Sequence, residues 1–184
     1  MAGNTAANSI DGFLYTVNNC LAQTNLSFIS QNYGARKKER ILPIMKSSII
    51  ITVASSLILG TICLFFGPNI LSLYSGESEV VAYAMIRVKY VLTVYFIFAF
   101  EEMTVSCIRA LGYSIAPMLI SMFCICGVRI MWVFTYFAAH HTLESLYIAY
   151  PLSWTVATVF HVSLLLYIWK KKNPLDGMTD IPNE

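Results

Sequence analysis

Ser30-Gln31-Asn32-Tyr33-Gly34-Ala35-Arg36-Lys37-Lys38-Glu39-Arg40 is a short hydrophilic connector between two apolar stretches. Each flanking stretch is about twenty residues long, enough helix to cross roughly 30 Å of hydrocarbon. Arg36, Lys37, Lys38 and Arg40 then say which side the connector occupies, because loops rich in Lys and Arg stay on the cytoplasmic face of a membrane.

The same pattern recurs on both sides of this connector. Hydrophobic residues make up 57% of the 184 and charged residues 12%, too little polar surface to cover a soluble domain of this length. The chain reads as an all-α polytopic membrane protein with spans at about 6–30, 43–66, 81–107, 117–137 and 143–169. Residues 1–172 form one membrane unit, and 173–184 read as a solvated cytoplasmic tail. Pro43 and Pro117 suit the first turn of a helix, where a missing N–H costs nothing. Gly67-Pro68-Asn69 is expected to end the second span, Leu111-Gly112-Tyr113-Ser114 to part the third from the fourth, and Pro151 to kink the fifth.

Lys46, Arg109, Lys170, Lys171 and Lys172 join the first basic cluster on alternate connectors, and the remaining connectors carry no Lys or Arg. That asymmetry puts the N-terminus outside and the C-terminus in the cytoplasm. Arg87 and Lys89 fall near the outer end of the third span and are expected to snorkel to the outer headgroups. The five cysteines lie in apolar segments, where a thiol behaves as a small hydrophobe. No metal-ligand cluster, nucleophile constellation, phosphate loop or nucleic-acid motif stands out, so neither an enzyme nor a cofactor protein is expected.

Polar residues inside the spans are the candidates for function. Asp11, Tyr15, Asn18, Ala22 and Asn25 share one stripe of the first helix, and Thr16, Asn19, Gln23 and Ser27 share the next. Such a face must look into the bundle or a wet cavity, either as interhelical hydrogen bonds or as the wall of a substrate or ion pathway. Glu101 and Glu102 lie about 10 Å inside the cytoplasmic end of the third span by helical rise. With Asp11 they are the ion-coupling candidates, and Arg129 at a similar depth is their expected partner in a buried ion pair. His161 reads as a neutral histidine holding one hydrogen bond. Thr52, Ser56 and Gly60 form a small-residue packing ridge.

Several local patterns occur in order: Ala2 to Phe13 (AGNTAANSIDGF), Gln31 to Ala35 (QNYGA), Ile108 to Ser114 (IRALGYS), Gly127 to Trp132 (GVRIMW) and Tyr150 to Trp154 (YPLSW). Together they resemble the C-terminal lobe of bacterial MATE transporters, the multidrug and toxic compound extrusion family, over about Ala2 to Trp169. The resemblance implies helices eight to twelve of a twelve-helix exporter in the bacterial plasma membrane. It implies a small organic cation or amphipathic substrate, exchanged for Na+ or H+, and no other cofactor. It also implies that the N-terminal lobe and helix seven are missing, leaving a fragment that does not transport alone. Where NorM-like members carry a coupling acid in helix ten, Phe98 stands here, with Glu101 and Glu102 one turn nearer the cytoplasm. A lipid-linked oligosaccharide flippase of the same superfamily and a non-transporting membrane subunit are the alternatives.

Overall fold

A computed structural model describes residues 2–72, 78–139 and 141–172, and these are helical with no strand among them. The tail 173–184 and residues 73–77 of the second connector lie outside the described residues. The chain runs through α1 (Ala2–Gly34), α2 (Lys38–Ser72), α3 (Ser78–Leu92), α4 (Tyr95–Ala110), α5 (Ile115–Phe137), α6 (Leu143–Tyr147) and α7 (Ala149–Tyr167). By length and composition α2, α5 and the combined stretch Leu143–Lys171 can each cross a membrane, and α3 with α4 qualifies as one broken span. At 33 residues α1 is long enough, but its polar stripes keep it outside that apolar set.

The expected third span is not one straight helix. It breaks at Thr93 and Val94, and its halves bend by 48°. The Thr93 hydroxyl donates to the Lys89 carbonyl at 2.6 Å, and two consecutive β-branched residues crowd the same turn. The two early prolines also behave differently from expectation. Pro43 and Pro68 both sit inside α2, which starts at Lys38 and continues to Ser72. Lys38, Glu39 and Arg40 are good helix formers that add a turn before Pro43. At Pro68 a single missing N–H is cheaper than breaking the whole ladder beside lipid. Pro117 does fall in the first turn of α5. Pro151 lacks the N–H that would reach back to Tyr147, and the last span breaks at Ile148, between α6 and α7.

Both connectors assigned to the cytoplasm leave their helices through the same motif. After α1, Arg36 N–H donates to Tyr33 O and Lys37 N–H to Asn32 O; after α4, Gly112 N–H donates to Arg109 O and Tyr113 N–H to Ile108 O. These are Schellman caps, which need a left-handed residue, here Arg36 at φ 57° and Gly112 at φ 92°. A Cβ added at Gly112 would meet nothing within 4 Å, so replacing it isolates the backbone term. Gly112→Ala is expected to destabilise by about 1–2 kcal/mol, read from thermal melting in detergent.

α4 is the centre of the bundle. Met103 through Ile108 are buried without interruption, and α1, α2 and α7 pack around the helix. Ala99, Thr104, Ser106, Cys107 and Ala110 are small enough to let those backbones approach. Thr52, Ser56 and Gly60 are buried as the expected ridge of α2, where a Cβ on Gly60 would lie 3.4 Å from Leu92 O of α3. Large apolar side chains point the other way. Ile50, Ile58, Phe65, Ile115, Phe123, Met131 and Phe134 are all exposed, the outward-facing apolar surface of a protein whose solvent is lipid.

Candidate functional site

Beside the break between α3 and α4, whose flanking residues Val91 and Tyr95 contribute to its lining, lies a pocket of about 470 Å³. Tyr15 of α1, Tyr95 and Phe98 of α4, and Tyr150 and Trp154 of α7 give it an aromatic wall. The rings interlock: Phe98 lies 5.3 Å from Tyr95 and 5.2 Å from Trp154 between centroids, and Tyr95 meets Trp154 edge-on at 5.7 Å. Two of these pairs are tilted and the third is T-shaped, so none is the face-to-face sandwich that aromatic quadrupoles disfavour. The position where a coupling acid was sought therefore holds the middle ring of an aromatic cluster. Asp11, Arg87 and Arg129 supply the charges of the same pocket.

Arg87 does not snorkel outward. It is buried, and its Nη2 donates to Asp11 Oδ2 at 2.7 Å. The Tyr147 and Tyr150 rings lie 6.0 and 5.8 Å from its guanidinium carbon, distances at which a cation gains from the ring face. Inward rotation gives the cation a carboxylate and two rings, which outweighs a stretched reach to the headgroups. Lys89, two residues on, is exposed.

The ion pair expected between Arg129 and Glu101 or Glu102 is not formed. Arg129 Nε donates to Ser153 Oγ at 3.1 Å, and the guanidinium lies 4.2 Å from the centroid of Tyr150. α4 packs along α7 rather than along α5, so equal depth in the membrane did not mean adjacency. Glu101 instead faces His161 of α7, with Oε1 and Nδ1 3.0 Å apart and both side chains buried. Their approach is close but off the hydrogen-bonding line, and each atom has no other partner. The second ring nitrogen of His161, Nε2, is 3.1 Å from Pro117 O. Glu102 is half-buried, close enough to interact electrostatically with Glu101 and His161.

The polar stripe of α1 divides in two. Asn18, Ala22 and Asn25 are buried against the bundle, and Asn25 Nδ2 donates to Ser106 Oγ and contacts Cys107 Sγ at 3.3 Å. These amides lie in the helix interface and not in the pocket. Tyr15 lines the pocket and Asn19 Nδ2 reaches its hydroxyl at 3.5 Å, while Thr16, Gln23 and Ser27 are exposed on the adjoining face. Sequence reading missed Tyr95, Tyr150 and Trp154 as pocket residues. Aromatic residues in an apolar span carry no sign of whether they face lipid or cavity.

Comparison with known proteins agrees with the architecture. The MatE family model matches residues 1–135. The "Probable multidrug resistance protein YoeA" of Bacillus subtilis (strain 168) is 28% identical over 148 residues, covering 79% of this chain and 32% of that protein. The chain thus spans about a third of the length of this curated relative. No solved structure matches the chain. A family match across more than half the sequence, on an all-α membrane architecture, shows that the chain belongs to the MatE family of membrane transporters.

Proposed function

We propose that the chain forms helices eight to twelve of a MATE-type antiporter, exporting amphipathic or cationic compounds in exchange for Na+ or H+. The aromatic pocket carries this reading. It lies beside the interruption of a span, and Tyr15 and Phe98 in its lining can stack on an apolar substrate. Discontinuous helices are a recurring way to build transporter binding sites, and a mostly apolar cleft with a few convergent polar groups suits a small amphipathic ligand. In this reading Glu101, with Glu102 beside it, is the coupling carboxylate. Asp11 is held by Arg87 and serves structure. The protein sits in the plasma membrane with its N-terminus outside and its C-terminus in the cytoplasm.

Alternating access needs a second body to rock against, and the curated relative is about three times as long as the matched region. These 184 residues alone are therefore not expected to transport. Vesicles holding only this chain should export ethidium no faster than empty vesicles under an imposed Na+ or H+ gradient. Robust gradient-dependent export by the chain alone would overturn the need for a second lobe. The flippase alternative calls for a strongly basic cavity. Of the two arginines here one is neutralised by Asp11, which favours the drug exporter.

A further inference from the structure

We propose that, among the amphipathic and cationic compounds of the reading above, the aromatic pocket favours those that place an oxyanion on Arg129, so that aromatic acids and zwitterions bind ahead of simple cations. The inference rests on the pocket being the substrate site and concerns the charge it accepts. Asp11, the carboxylate among the lining residues, is engaged by Arg87 at 2.7 Å. Arg129 takes part in neither of the two ion pairs found among the described residues. The lining therefore carries one cation in excess.

The setting of Arg129 is that of a prepared anion receptor. Ser153 Oγ accepts a hydrogen bond from its Nε, which anchors one edge of the guanidinium, and the Tyr150 ring backs the plane at 4.2 Å. Nη1 and Nη2 then remain as donors with no protein acceptor among the described residues. A planar fork with free parallel donors matches a carboxylate bidentately. Tyr15 and Phe98 supply stacking surface for the ligand's ring system in the same pocket, with the buried Trp154 packed behind Phe98. A cationic ligand would meet Arg129 as a like charge in a weakly screened site.

The test measures binding of three matched probes to the purified chain in phosphatidylcholine nanodiscs by calorimetry: 2-naphthoate, the neutral 2-naphthamide, and 2-naphthylmethylammonium. 2-Naphthoate is expected to bind roughly tenfold more tightly than the ammonium probe, the scale of one charge-assisted hydrogen bond. Arg129→Gln should bring the three within about twofold of one another, and Phe98→Ala should weaken all of them. The wild-type ranking is decisive even if a variant does not fold. Equal affinities, or a preference for the ammonium, both still sensitive to Phe98→Ala, would overturn the charge assignment and leave the pocket reading standing. Absence of binding by every probe would overturn both. An anionic lipid could bring the same oxyanion, so the series is repeated with phosphatidylglycerol added. Arg129-dependent loss of naphthoate binding there would support the oxyanion site and assign it to a headgroup.

Discussion

Arg87→Met is expected to lower the stability of the folded bundle by about 3 kcal/mol, and adding Asp11→Leu is expected to recover most of that loss. Removing one member of a buried pair leaves the other as an uncompensated charge, which typically costs roughly 3–5 kcal/mol. The lower end applies because the two side chains are not sealed off, with 8% of Arg87 and 16% of Asp11 exposed. Replacing both members by apolar groups of similar volume removes the desolvation penalty together with the attraction, and such exchanges are often close to neutral. Unfolding titrations with a denaturing detergent, run on the two single variants and the double variant, give the coupling directly. A coupling below about 0.5 kcal/mol, the level at which independent sites add, would show that Asp11 and Arg87 do not act as a unit.

His161→Leu is expected to cost about as much, near 3 kcal/mol, whereas Glu101→Gln should cost under about 1 kcal/mol. The asymmetry follows from proton counting. Pro117 O only accepts, so His161 Nε2 at 3.1 Å must carry a hydrogen. One further proton then serves the 3.0 Å contact between Nδ1 and Glu101 Oε1. It gives either an imidazolium facing a carboxylate or a neutral ring facing a carboxylic acid. Both forms are net neutral and fit a buried site, and a small rotation would align them. Glutamine at 101 preserves this balance, because its amide can donate to the Nδ1 lone pair. Leucine at 161 leaves a buried carboxyl group facing hydrocarbon and frees the Pro117 carbonyl. Equal losses for the two variants, measured by the same unfolding titration, would refute this account of the pair.

These two contacts also mark where sequence reasoning stopped. Helical rise put Glu101 and Arg129 at similar depth, which was sound arithmetic along the membrane normal. Pairing depends equally on which helices are neighbours, and α4 lies along α7. His161 was read as holding one hydrogen bond, but neither Glu101 nor Pro117 was named for it, because they are 60 and 44 residues away. Arg87 was sent to the headgroups for the same reason, since Asp11 is 76 residues distant. The aromatic pocket was partly legible: Tyr15 was named from its stripe, and the Tyr150 to Trp154 motif was noted only for its resemblance. The break at Thr93 and Val94 was not legible, because an apolar run with one threonine reads as a continuous span.

Composition, apolar blocks of membrane-spanning length and ordered local motifs were enough to establish an all-α membrane protein of the MatE family. A bilayer forces every spanning segment to satisfy its own backbone hydrogen bonds, so class and element type are written in one dimension. Only the tertiary structure decided which polar group meets which, where the third span breaks, and that Phe98 lies between the rings of Tyr95 and Trp154. Those outcomes depend on the rotation of each helix and the identity of its neighbours, and no spacing within a single helix encodes either.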